Sequence, residues 1–94
     1  MKVIHLDLSG VESISDLHDC FEEAFSLPPW YGRNLDALWD CLSDGFTEPT
    51  LLQVTDLPVL QDRLGSVANV LVRLFRDLSD CRENLIVDID GLIL

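Results

Sequence analysis

The sequence predicts an α/β protein in which a small three-stranded parallel sheet is covered by four helices, in the order β-α-α-β-α-α-β. Three observations carry the prediction. Short apolar runs stand near the start, the middle and the end of the chain; stretches with apolar residues three and four apart lie between them; and Gly or Pro marks most changes of period. Strands separated by helical segments pair in parallel, because a parallel neighbour is reached only through a crossover connection.

Val3 to Leu8 reads as the first strand, with Ile4, Leu6 and Leu8 alternating against His5 and Asp7, and Gly10 ends it. Ser13 or Ser15 caps a helix running to about Ser26, whose inner stripe is Leu17, Phe21, Ala24 and Phe25, and Pro28-Pro29 stops it. An aromatic loop leads to a second helix, Asn34 to about Ser43. After Glu48-Pro49, the apolar run Thr50 to Val54 fits a buried second strand. Pro58 opens a short helix. Gly65-Ser66 breaks it and caps a longer one, in which Val67, Val70, Leu71, Leu74, Phe75 and Leu78 recur to about Ser79. Leu85 to Ile89 is the third strand, and Asp90 with Gly91-Leu92-Ile93-Leu94 reads as its end and a tail. One layer of three strands is expected to be covered mainly on one face, leaving the other face, or an exposed helix surface, for partners.

With 94 residues the chain has room for a single domain, 1–94, around one core. Of its residues 48% are apolar, too many for a disordered acidic tail, yet the formal net charge is -11, so the charge sits on a folded surface. Such a surface repels nucleic acid and anionic lipid and attracts basic proteins, raising their encounter rates by about 10–10³ at low salt. Direct nucleic-acid or membrane binding is therefore not expected. Cys20, Cys41 and Cys81 are odd in number and fit neither a disulfide framework nor zinc-ligand spacing, so free thiols, two of them small buried hydrophobes on helices, are expected. Met1 to Leu6 lacks a signal peptide's apolar core, and no apolar run reaches the roughly 18 residues of a membrane span. A cytoplasmic protein is the expectation.

The chemistry is concentrated between Leu27 and Phe46. Asp36, Asp40 and Asp44 follow one another at four-residue spacing and fall within about an 80° arc of one helix face, while Leu35, Leu38 and Leu42 point the other way. Like charges four apart destabilise a helix by about 0.2–0.5 kcal/mol per pair, and Asp40 and Asp44 also lie toward the negative end of the dipole. Folding alone does not favour this arrangement, so it points to a face that meets positive charge on another molecule. Trp39 lies between the apolar stripe and the acidic face, Trp30 stands in the loop, Tyr31 reads as structural, and Asp77 has Arg73 one turn earlier as a possible ion-pair partner. His5 and His18 have no nucleophile at recognisable spacing. There is no nucleophile elbow, glycine-rich phosphate loop or His pair, so no catalytic residue and no cofactor is assigned. The three aspartates rise by about 6 Å per step, too strung out for one metal ion to take them all. Mimicry of nucleic acid toward a different basic or regulatory partner is the alternative reading, and a metal-dependent hydrolase the remoter one.

Ser13-Ile14-Ser15-Asp16-Leu17-His18, Leu27-Pro28, Tyr31-Gly32 and above all Asn34-Leu35-Asp36-Ala37-Leu38-Trp39-Asp40-Cys41-Leu42 resemble the barstar family, intracellular inhibitors of a secreted bacterial ribonuclease. The resemblance extends over Glu48-Pro49, Val70-Leu71, Phe75-Arg76 and the closing strand. It implies a barstar-like three-stranded parallel sheet with four helices and a cis bond before Pro49. It also implies inhibition by plugging: the loop and the acidic helix enter the nuclease cleft, and carboxylates occupy the places of substrate phosphates. On that resemblance Asp40 matches the central carboxylate, Asp36 the flanking one, Trp39 a packed aromatic wall and Asp77 an acid at the rim, while Trp30 stands where the family has a tyrosine that covers the catalytic histidine, keeping a large flat ring and losing the hydroxyl. The implied partner-binding set is Trp30, Gly32, Asn34, Leu35, Asp36, Trp39, Asp40, Asp44, Phe46 and Asp77, facing a basic extracellular or toxin-type ribonuclease in a 1:1 complex. Arg33 departs from the pattern by standing where the family has an acid, which would place a cation beside the anionic ridge. Asp44 replaces a glycine, Gly45 or Phe46 stands in place of a tryptophan, and Asp77 is one methylene shorter than its counterpart. A retained centre with a rewritten rim implies the same mechanism against a different nuclease.

Overall fold

The computed structural model describes residues 1–94. The elements follow in the order β1 (Lys2–Asp7), α1 (Ile14–Phe25), α2 (Leu35–Ser43), β2 (Thr50–Thr55), α3 (Leu57–Leu64), α4 (Ser66–Cys81), β3 (Leu85–Ile89) and β4 (Leu92–Ile93). Strands β1, β2 and β3 lie side by side in parallel, as the crossovers require, and β4 is added antiparallel at the outer edge of β3. The sheet thus has one short strand more than the sequence predicts. The Asp90-Gly91 turn accounts for it, because φ is positive at both central residues, 50° and 91°, the signature of a tight two-residue hairpin.

The register aligns Ile4, Leu52 and Val87 in one row and Val3, Leu51 and Ile86 in the next. The first row is buried beneath the helices; in the second, Val3 and Ile86 are exposed on the bare face. Against the covered face pack Leu17 and Phe21 of α1, Leu38 and Leu42 of α2, Leu60 of α3, and Leu71, Leu74, Phe75 and Leu78 of α4. Val70 falls outside this stripe and is exposed, since it lies about 100° around the helix from its neighbour Leu71. Cys20 and Cys41 are half-buried rather than buried, Cys81 is exposed, and all three are free thiols.

Local chemistry ends the helices where the sequence places the breaks. Ser13 caps α1 by accepting from Asp16 N at 3.1 Å, and Ser26, left-handed at φ 51°, closes it. Pro58 stands in the first turn of α3, whose amides at Asp56 and Leu57 donate to the two carboxylate oxygens of Asp90 at 2.8 and 3.1 Å. The β3–β4 turn therefore caps a helix as well as joining two strands. The bond before Pro49 is trans, against the implication of the resemblance. Pro49 runs straight into β2 with its carbonyl accepting from Lys2 N at 2.9 Å, so no tight turn is needed there.

Candidate protein-binding site

The orientation of α2 follows from its two buried leucines. With Leu38 and Leu42 held in the core, Asp36 and Asp40 stand exposed on the opposite side, and Leu35, Ala37, Trp39 and Cys41 flank the seam half-buried. Asn34 sets the start of the helix: its Oδ1 accepts from Ala37 N at 2.7 Å, and its Nδ2 donates to Gly32 O at 3.2 Å, closing the preceding turn. A carboxylate in the first turn, as at Asp36, is favoured by the helix dipole; Asp40 has no such compensation. None of the three ion pairs of the molecule uses Asp36 or Asp40.

The structure separates the predicted residues into groups. Trp30, Asp40, Asp44 and Phe46 line one surface cavity of about 580 Å³ between the end of α1, the end of α2 and the start of β1. Lys2, Phe25, Leu27 and Glu48 also line it, and sequence periodicity offers no signal for that grouping because three separate chain segments supply them. Trp30 is 82% exposed, an unusual placement for so large an apolar ring. Asp36 lies one turn before Asp40 and outside this cavity. Asp44 is not part of the helix: it is the C-cap residue of α2, its side chain 94% exposed and 3.5 Å from Arg82 Nη2. The acidic helix face therefore carries two carboxylates, with the third on the turn that follows. Asp77 is exposed on α4, the helix against which α2 packs, and makes no ion pair with Arg73.

Arg33 does not stand beside the acidic ridge. Its guanidinium turns the other way, onto α1, with Nη2 2.9 Å from Asp19 Oδ1 and Nη1 2.8 Å from Glu22 Oε1. Two acids one turn apart on α1 are closer and better placed to receive it than the exposed α2 face.

Tyr31 is buried, as a structural role requires, and supports the loop from beneath. Its hydroxyl lies 2.7 Å from His18 Nδ1 and 3.3 Å from Asn34 O. One phenolic proton cannot serve both, so a hydroxyl that donates to Asn34 O accepts from a protonated His18 Nδ1. Burial pushes the Tyr31 hydroxyl up to about 12. Burial, with Arg33 nearby, pushes His18 below its ordinary value, so the neutral imidazole is the form that fits. His18 precedes the buried Phe21 by three residues and follows the buried Leu17 by one, placing it on the inner side of α1; that periodicity is the signal that marks it as a satisfied core histidine.

No group of three or more His, Cys, Asp or Glu side chains is arranged to hold a metal ion, and no helix is long and apolar enough to cross a membrane. What the arrangement offers chemically is a set of exposed negative groups beside a projecting aromatic ring. A family model described as "Barstar (barnase inhibitor)" matches residues 1–88. A protein of Bacillus subtilis (strain 168) named "Putative ribonuclease inhibitor YrdF" is 34% identical over 80 residues, covering 85% of this chain and 88% of that one.

Proposed function

The chain belongs to the barstar family, and from that premise we propose that it is a protein inhibitor of a basic ribonuclease, binding the enzyme 1:1 and occluding its active site with α2 and the adjoining loop. Asp40 and Asp36 take the places of RNA phosphates among the enzyme's cations, Trp30 covers a catalytic ring, Trp39 and Leu35 form the wall behind the carboxylates, and Asp44, Phe46 and Asp77 set the rim. Gly32 and Asn34 shape the turn that presents them. Inhibition is steric and electrostatic, and the chain itself performs no catalysis. A cytoplasmic immunity role, neutralising a toxin-type or self-secreted ribonuclease before it reaches cellular RNA, accords with the chemistry.

One observation carries the reading: Asp36 and Asp40 project from a helix face that the core forces outward, with no cation of their own chain to neutralise them. The test is RNA cleavage by barnase, and by other basic microbial ribonucleases, with and without one equivalent of the protein. Abolished cleavage at a 1:1 ratio, with association that slows as salt screens the steering field over about 8–10 Å, is the expected result. Undiminished cleavage across the set refutes the reading.

A further inference from the structure

The loop between α1 and α2 is anchored at two points, and the second is unusual. Tyr31 holds one side from the core. On the other, Arg33 sits at φ 53°, in the left-handed region that a residue bearing a Cβ enters with some strain. From there its side chain reaches back across α1: Nη1 donates to Glu22 Oε1 at 2.8 Å, and Nη2 to Asp19 Oδ1 and to the Ser15 carbonyl, each at 2.9 Å, with Ser15 Oγ at 3.4 Å. Acceptors on successive turns of one helix are taken by a single planar fork, a geometry that a lysine ammonium does not reproduce.

We propose that Arg33 is a positioning residue for the partner-binding loop: by clamping the turn to α1 it holds Trp30 and the first turn of α2 in docking geometry before a partner arrives. The proposal rests on the reading of this face as a ribonuclease-binding surface. Covalent and hydrogen-bond continuity transmit the clamp. Asn34 is the next residue, and the same side chain that closes onto Gly32 O also caps α2 at Ala37 N. A displaced residue 33 therefore carries with it the start of the helix that bears Asp36 and Asp40. The clamp also keeps a cation off the acidic face, because Asp19 and Glu22 neutralise it on the far side of the loop. A partner meeting a pre-ordered loop gains the fraction of encounters that a loose loop would waste.

Two measurements test the clamp. In the free protein, amide hydrogen exchange at Ala37 and Leu38 should quicken about tenfold in Arg33→Ala and remain within about twofold at Leu52 and Val54 of β2. The double variant Asp19→Ala/Glu22→Ala should reproduce part of that quickening, because the bond to the Ser15 carbonyl survives, and adding Arg33→Ala to it should bring the rate only to that of Arg33→Ala alone. In stopped-flow association with barnase, Arg33→Ala should bind about threefold to tenfold more slowly, although the variant is one charge more negative. Arg33→Lys should fall between. If Arg33 acted only as a rim charge, the alanine variant would associate faster at low salt, and that result overturns the proposal. Unchanged exchange overturns it, as does exchange that rises equally in α2 and β2. If the wild-type protein fails to bind barnase, the inhibitor reading fails for that enzyme and the exchange data alone decide the clamp; if it binds and the variant matches it in rate, the clamp falls and the inhibitor reading stands.

Discussion

Replacing Asp40 with Ala should yield a more stable protein and a much poorer inhibitor. Asp40 lies within α2 on the exposed face, and its carboxylate belongs to none of the ion pairs, so its removal leaves no internal group unpaired. Alanine exceeds aspartate in helix propensity by about 0.5–0.7 kcal/mol. Losing the like charge one turn from Asp36 adds about 0.2–0.5 kcal/mol. Asp44 adds less, because it lies beyond the helix within 3.5 Å of Arg82. The sum is about 1 kcal/mol, and for a domain of this size that raises Tm by about 4–8 °C. Binding moves the opposite way. Truncating a carboxylate that pairs with desolvated cations leaves those cations stranded, for a loss of about 2–5 kcal/mol or more, a range that itself rests partly on a barstar–barnase complex. In Kd this is about 30-fold to several thousand-fold. Thermal melts followed by circular dichroism give the first number, and titration of ribonuclease activity gives the second. A lower Tm would mean that Asp40 serves the fold, and a Kd within about fivefold of wild type would mean that it serves no cation; either result refutes the reasoning.

Other expectations follow from the supports of the site. Tyr31→Phe removes the hydroxyl 2.7 Å from His18 Nδ1 and leaves a buried ring nitrogen unpaired, which should lower stability in urea unfolding by about 1–3 kcal/mol. His18 is held below its ordinary value of 6.5, so the unfolded chain binds more protons than the folded one as pH falls past that value. Its contribution is fully present above pH 6.5 and declines below it, so the urea midpoint should drop between neutral and mildly acidic pH and drop less in His18→Gln. Asp90→Ala strips the α3 N-terminus of both carboxylate acceptors and should destabilise by about 0.5–2 kcal/mol, read as a shift in urea midpoint with binding to the ribonuclease unchanged.

Much of the fold is legible in the chain because period and punctuation agree. Ser13, Pro28-Pro29, Gly65 and Pro58 each act where they stand, and the inward residues of the three parallel strands alternate as the pattern requires. The fourth strand is also encoded, since Asp-Gly is a strong hairpin signal. Only three residues follow it, too few for alternation to reveal a strand. The site divides in the same way. The outward set of Asp36 and Asp40 follows from the inward set of Leu38 and Leu42, a relation that one helix contains within itself. The direction of Arg33 depends on Asp19 and Glu22, which the fold brings near only after α1 and α2 have packed, so local sequence suggests a cation beside the ridge where the structure has none.

This division bears on how such an inhibitor changes its target. Asp36 and Asp40 are placed by core leucines, the N-cap of Asn34 and a loop bonded through Tyr31 and Arg33, so the centre of the face is difficult to redirect without disturbing those contacts. Trp30, Asp44 and Asp77 are exposed and contribute little to the core. Substitutions at such positions usually change stability by no more than about 0.5 kcal/mol in either direction. Under the proposed function, specificity can therefore be rewritten at the rim, by adding a charge opposite a new cation or an obstruction against an old partner, while Asp36 and Asp40 remain in place. The departures at Asp44 and Asp77 lie where this freedom exists. Exchanging those two residues, singly and together, should alter the ranking of ribonucleases inhibited and leave Tm nearly unchanged, whereas an exchange at Leu38 or Tyr31 should alter Tm first.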